Sequence, residues 1–231
     1  SPADRAPLAT KEGVDVTADP DAPLAALVFK NISDPFAGRL NLIRVFQGKM
    51  TPDASYYNTQ KDNEERVGQI ASMMGKDIKA LTSAGPGDIF AVPKLKDTGS
   101  GDTFSTKKNP MTLPMIEPPQ PLITFAAYAK TKGDEEKLGQ GLKKMADEDP
   151  TLNIWREQQT SEMLVSCMGR LHIDIASERM KRKYSAEIDL RMPKVPYRET
   201  IKGKTKVQGR HKKQSGGRGQ FADTWMEIKP A

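Results

Sequence analysis

The chain has 231 residues, 36% apolar and 29% charged, with 36 basic and 30 acidic side chains and a formal net charge of +6. That length suits two small domains, and the basic surplus permits an anionic partner while the near balance of charges excludes a histone-like tail. A single cysteine, Cys167, excludes an internal disulfide and fits a reducing, cytoplasmic compartment. No apolar run approaches the ~18–20 residues that span a bilayer, so no membrane partner is expected, and nothing at the start resembles a signal peptide. The chain opens on Ser-Pro, as expected of a segment cut from a longer protein.

Residues 1–23 are rich in Pro, Asp and Ala with little periodicity and read as a linker or extended arm. From Leu24 the texture changes to short apolar or alternating runs: "LAALVFKNIS", "GRLNLIRVFQGKM", "ASYYNTQ", "ERVGQIASMMG", "KDIKALTSA" and "DIFAVPKL". Gly, Pro and Asp clusters separate them, which predicts an all-β antiparallel barrel or sandwich over 24–110. In "LNLIRVF" both faces are largely apolar, so this strand is expected to be buried on most of its surface. The stretch Asn109–Pro121 carries five prolines in thirteen residues. Proline removes a donor and fixes φ, so neither helix nor central strand survives there, and a linker is placed over 111–120. The competing reading is a loop inside one domain.

Over 121–193 the order is β-α-β-β-α-β, the split βαβ or ferredoxin-like α+β plan. "LITFAAYAK" reads as a strand. "TKGDEEKLGQGLKKMADED" reads as a helix with Thr131 and Asp134 at capping-box spacing and Leu138, Leu142 and Met145 on one face. Gly139 and Gly141 weaken that helix by about 1 kcal/mol each against alanine. "TLNIWREQQ" and "EMLVSCMG" are strands around a turn at Thr160-Ser161. "RLHIDIASERMKRKY" is a second helix with Ile173, Ala176, Met180 and Tyr184 on its apolar stripe. In "SAEIDLRM" Ala186, Ile188, Leu190 and Met192 alternate, as in a strand. From Lys194 the chain is basic, and "KTKVQGRHKKQ" and "FADTWMEIK" flank the run "SGGRG" as the two arms of a long hairpin.

The Gly-rich run admits three readings: a phosphate cradle, a disordered RNA-binding tail, or a hairpin tip that touches RNA. The cradle needs a Gly-x-x-x-x-Gly-Lys-Ser/Thr loop opening a helix, and both the lysine and the helix are missing here. At a hairpin tip the glycines permit a tight turn, Arg218 forks onto phosphate or a base edge, and Gln220 donates and accepts at a base or ribose. No catalytic, cofactor or metal site is read elsewhere. His172, on the second helix, is expected to be a partly buried packing or hydrogen-bonding residue, His211 to be solvated, and Cys167 to be a buried inert thiol. Two histidines and one cysteine, far apart, give no metal-ligand spacing.

The motif order resembles the middle of bacterial translation elongation factor G or a paralogue of it. "SDPFAGRLNLIRVFQGKM" and "AGPGDIFAVPKLKDTGSGDT" resemble the start and the final strands of that family's barrel, its second domain. "DEDPTLNIW" and "VSCMGRLHIDIASERMKRKY" are similar to its third domain, although Arg170 stands where the family usually has Glu. "PKVPYRETI" followed by "KKQSGGRGQF" is similar to the opening of its fourth. The resemblance implies a non-catalytic, ribosome-binding part of a translational GTPase that moves tRNA and mRNA, with GTP and Mg2+ held by an N-terminal domain outside this chain. It implies RNA contact in the decoding region at Lys212, Lys213, Ser215, Gly216, Gly217, Arg218, Gly219 and Gln220. It also implies small-subunit ribosomal RNA contact at the barrel loop Asp34, Pro35, Phe36, Gly38 and Arg39. Two alternatives remain: a paralogue acting in ribosome recycling or protection and, from another class, a metabolite-binding regulatory module, since ferredoxin-like domains often bind metabolites in pairs.

Overall fold

A computed structural model describes residues 2–34, 38–75 and 77–230. The chain divides into two units, Ser1–Pro193 and Lys194–Ala231. In the first unit the arm over 1–23 carries two short paired strands, β1 (Leu8–Ala9) and β2 (Asp15–Val16). Then follow β3 (Ala25–Asp34), β4 (Gly38–Gln47), β5 (Ala54–Asn58), β6 (Asn63–Val67), β7 (Ile70–Met74), β8 (Asp77–Leu81), β9 (Ile89–Pro93) and β10 (Thr103–Ser105). These eight form one antiparallel sheet in the order β6-β5-β10-β3-β4-β9-β7-β8. In that order β6 and β7 lie near opposite ends, yet only Gly68 and Gln69 separate them in the chain. Two residues cannot cross an open eight-stranded sheet, whose strands are ~4.8 Å apart, so the sheet curls until its ends meet, as the expected barrel requires.

The period-2 alternation of β3 sends its residues to two apolar clusters. Ala26 and Val28 join Ile43, Val45, Met50, Phe90 and Phe104 inside the barrel. Ala25 and Leu27 face outward and meet Val16, Leu8, Met111 and Leu113. The arm and the first part of the proline-rich stretch therefore differ from free linkers. Lys11 N donates to Thr112 O at 2.9 Å, and Thr112 N donates to Glu12 Oε2 at 2.8 Å. Four apolar side chains too few to form a core of their own cover the outer face of β3 instead. Strand β4 is buried as expected, with Ile43 and Val45 wholly enclosed.

The α+β half comprises β11 (Ile123–Ala129), α1 (Glu135–Glu148), β12 (Asn153–Arg156), β13 (Met163–Cys167), α2 (Arg170–Tyr184) and β14 (Ile188–Arg191). Its sheet order is β12-β13-β11-β14, all antiparallel. This is the ferredoxin-like arrangement read from the sequence. Leu138, Leu142 and Met145 of α1 and Ile173, Ala176 and Met180 of α2 pack on Val165, Cys167 and Ala186. Met192, expected to continue the alternation of the last strand, lies beyond β14 and is exposed. The capping box also differs: Thr131 Oγ1 donates to Asp134 Oδ2 at 2.7 Å, and neither side chain caps a backbone N–H. A short 3-10 turn over Lys132–Asp134 leads into α1 and displaces the cap from its expected place. Arg170, unfavourable at a helix start by the macrodipole, pairs with Asp174 one turn on at 3.1 Å and lies 5.9 Å over the Phe125 ring.

Gly141 has a packing role that its helix propensity hides. A Cβ there would lie 2.5 Å from Met180 Sδ and 3.1 Å from Tyr184 Cδ2, so α1 and α2 approach across this residue. A Cβ at Gly139 would meet open space. Gly139→Ala is expected to stabilise by about 0.5–1 kcal/mol, whereas Gly141→Val destabilises by about 1–3 kcal/mol through overpacking. Chemical denaturation of the two variants measures both.

Glu187 ties β11 and α2 together just before β14. Its carboxylate takes Lys130 Nζ at 2.7 Å and Lys181 Nζ at 2.7 Å. The hydrogen bonds from Lys130 and Lys181, and then their charges, hold it from the usual 4.5 down to about 2. The folded value lies below the unfolded one, so the contribution is complete above the unfolded value and disappears as pH falls through the folded value. Glu187→Gln is therefore expected to lower Tm at neutral pH, with the gap closing between pH 4.5 and about 2 and narrowing in high salt. Thermal melts across that range at two salt concentrations read it out.

Candidate nucleic-acid interface

The second unit is built on a two-stranded hairpin, β15 (Thr205–Lys213) and β16 (Gln220–Ile228). Nine residue pairs run from Thr205↔Ile228 to Lys213↔Gln220 without a bulge. The tip is Gln214–Gly219, where Gly216 and Gly217 take φ of +72° and +68°. Two consecutive residues in the left-handed region explain the glycine pair, since each side chain there costs about 1–2 kcal/mol. Every residue of both strands and of the tip is exposed.

The expected site residues fall into two groups. Lys212, Lys213, Ser215, Gly216, Gly217, Arg218, Gly219 and Gln220 come together at the closed end of the hairpin. Seven cations between Lys202 and Arg218 meet no acid in the sequence before Asp223. Among the described residues no carboxylate pairs with Lys212, Lys213 or Arg218. Gln220 Oε1 lies 3.4 Å from His211 Nε2, which orients its amide across the strands. Lower down, Lys204 pairs with Glu227 at 2.5 Å, and Gln208 Nε2 donates to Asp223 Oδ1 at 2.9 Å, so the acids of β16 are already engaged.

In the first unit Asp34 pairs with Gly38 at the end of β3 and β4. Pro35 and Phe36 lie outside the described residues. Arg39, expected to face RNA, is half-buried. Its guanidinium donates to Thr98 O at 2.5 Å and to Lys96 O at 3.3 Å. The loop after β9 therefore claims this side chain, and that loop is itself pinned from within. Glu65, buried, accepts from the Lys96 amide and the Thr98 hydroxyl. Asn58 Nδ2 donates to Asp102 Oδ2 at 2.9 Å.

Sequence reasoning missed the junction between the barrel and the α+β half. Glu148 Oε1, at the end of α1, accepts from Ser33 N at 2.7 Å and from Lys183 Nζ at 3.0 Å. Beside it lies a cavity of about 550 Å3 with Lys30, Arg179 and Arg182 on its wall. The partners are 115 and 35 residues apart in the chain, and no local pattern announces such a contact. His172 has the hydrogen-bonding role expected: Met168 N donates to Nδ1 at 3.3 Å, which leaves Nε2 to face Asp149 Oδ2 at 3.2 Å. Burial acts to raise the Asp149 carboxyl, but the Thr151 hydroxyl and amide and the His172 ring outweigh it and hold it below the ordinary value. Cys167 is buried, with Sγ 3.3 Å from Gly169 O. Among the described residues no helix is long and apolar enough to cross a membrane, and no three His, Cys, Asp or Glu side chains gather as a metal site would need.

A barrel, a split βαβ unit and a cationic hairpin, in that order, define a multidomain chain of the translation-factor type. Residues 23–107 match the family model for elongation factor G domain 2, residues 118–192 that for elongation factor G domain III, and residues 193–231 that for elongation factor G domain IV. The chain belongs to the elongation factor G family. It is 39% identical over 212 residues to the elongation factor G of two strains of Ureaplasma parvum serovar 3, covering 92% of this chain and 31% of each relative. A crystal structure of a Thermus thermophilus protein superposes with a TM-score of 0.70 at 35% identity, over 90% of this chain and 31% of that one. The chain thus spans about a third of the length of the relatives it matches.

The glycine pair gives a direct test of the tip geometry. Replacing Gly216 and Gly217 together by alanine is expected to destabilise the hairpin by about 2–4 kcal/mol, one αL cost at each position. Amide exchange across Thr205–Lys213 and Gln220–Ile228 should accelerate while exchange in β3 and β4 stays unchanged.

Proposed function

We propose that this chain is the non-catalytic, ribosome-facing part of a translational GTPase that promotes movement of tRNA and mRNA. In this reading the tip from Lys212 to Gln220 meets RNA in the decoding region, and the β3–β4 end of the barrel rests on small-subunit ribosomal RNA. The site that holds GTP and Mg2+ belongs to another domain of the complete protein, which acts in the cytoplasm. One observation carries the reading: an exposed, acid-free run of cations ends in a glycine tip whose backbone a ligand can approach closely, within a chain of the elongation factor G family. Arg218 supplies a planar fork for phosphate or a base edge, and the lysines supply the sequence-independent attraction that salt screens. At the barrel the contact falls to the backbone and neighbouring groups of the β3–β4 end, because the Arg39 guanidinium is held by Thr98 and Lys96.

Two measurements test this. The 231-residue chain is expected to bind RNA with an affinity that falls as salt rises. Arg218→Ala is expected to weaken binding and to reduce the slope of log affinity against log salt by about 0.7, one phosphate contact on a single strand. In the complete protein, Arg218→Ala with Gln220→Ala is expected to slow translocation and to leave ribosome-stimulated GTP hydrolysis largely intact. Unchanged rates of both would reject the tip assignment.

A further inference from the structure

The two faces of the hairpin differ in kind. Opposed residues share a face, and alternate residues along a strand take opposite ones. One face carries Val207, Met226 and Ile228, an apolar surface toward the open end, with His211, Lys213 and Gln220 only toward the tip. The other carries Phe221 and Trp225 together with Lys206, Arg210 and Lys212. Its two acids, Asp223 and Glu227, are engaged by Gln208 and Lys204. On that second face a cation lies over one side of each ring: Lys206 Nζ is 5.5 Å from the centre of the Trp225 ring, and the Arg210 guanidinium is 5.5 Å from that of Phe221. Trp225 is 61% exposed and Phe221 63% exposed.

Any further layer of protein packed on this hairpin belongs on the aliphatic side. Covering the other would strip water from three cations, a large cost for charge that is not fully paired. The aromatic face therefore stays open, and its two rings need an explanation that packing does not supply. Rings interleaved with lysine and arginine on a flat surface suit one ligand above others, a single strand of nucleic acid. Its bases stack on the rings while its phosphates meet the flanking cations.

We infer that Trp225 and Phe221 form a stacking platform for unpaired bases of single-stranded RNA, with Lys206, Arg210 and Lys212 holding its phosphates. The inference rests on the reading of the hairpin as an RNA-contacting element and extends it from the tip to the strand face. Phe221 and Trp225 are four residues apart on β16, about 13 Å at ~3.3 Å per residue. Stacked neighbours along a strand are only ~3.4 Å apart, so the two rings take bases that are not neighbours in a stack, and the bound strand is splayed.

The test uses the 231-residue chain with Trp155→Phe, so that Trp225 is the only indole, and a ten-nucleotide oligoadenylate. RNA is expected to quench Trp225 emission saturably. With affinity of every variant read from the anisotropy of a fluorescently labelled oligoadenylate, Trp225→Ala and Trp225→Leu are each expected to weaken binding about five- to 150-fold, the range for loss of one base–aromatic stack. Trp225→Phe keeps a ring and should bind within about threefold of the parent. Met226→Ala, on the opposite face, should leave affinity unchanged. Equal affinity of Trp225→Leu and the parent, or equal losses for Met226→Ala and Trp225→Ala, overturns the platform. Arg218→Ala, measured alongside, separates the two readings. A loss there with none at Trp225 rejects the platform and keeps the tip, and the reverse result rejects the tip and keeps the platform.

Discussion

The register of the hairpin is the constraint on which the functional account depends. In a strand pair with period 2, a slip of one residue moves every side chain to the other face. Here that slip would set Trp225 and Phe221 on one face with Val207 and His211, and would put Lys206, Arg210 and Lys212 on the face of Met226 and Ile228. No buried face resists it, because both strands are exposed throughout. Register must therefore come from the nine cross-strand pairs and from the turn that starts them. Gly216 and Gly217 in the left-handed region set that turn. The Gln208–Asp223 and Lys204–Glu227 contacts reinforce it toward the open end. The glycines thus have two consequences: they fix which face carries the rings, and they leave the tip without side chains that would keep a ligand away.

The first unit shows a different economy of contacts. Its barrel encloses polar groups, and they are used to shape a loop. Glu65, Asn58 and Asp102 bind the segment after β9, and that segment accepts the Arg39 guanidinium. Its junction with the α+β half rests on Glu148, which receives a backbone amide from β3 and the ammonium of Lys183 from α2. One carboxylate therefore joins the barrel to both helices of the neighbouring fold. Its side chain is only 12% exposed, which removes much of the solvent screening that makes surface pairs weak.

Much of this was legible in the sequence because it is local. The alternation of "LNLIRVF", the stripe Leu138, Leu142 and Met145, and the β-α-β-β-α-β order each follow from periodicity within one element. The glycine run between two strand-like arms, the first of them basic, announced the hairpin. What stayed hidden is non-local or depends on very short segments. "ERVGQIASMMG" reads as one run but folds as two strands, because Gly68 and Gln69 carry the chain from one end of the sheet order to the other. Thr103–Ser105 is too short to show a pattern, yet it lies between β5 and β3. Gly141 reads as a helix-weakening residue until α2 is seen against it. Arg39 reads as a surface cation until the loop that holds it is placed. The aromatic face stayed hidden for a simpler reason: alternation along β16 separates Phe221 and Trp225 from Met226 and Ile228, but only the register places Lys206, Arg210 and Lys212 beside the rings.

The most direct measurement is a map of where RNA touches the chain. Titrating the isotopically labelled 231-residue protein with a single-stranded RNA and following backbone amide resonances reports every residue at once. The account predicts shifts concentrated at Lys212–Gln220 and around Phe221 and Trp225, saturating together and fading as salt is raised. Shifts that instead centre on the barrel and the α+β half, with the hairpin amides unmoved, would contradict it.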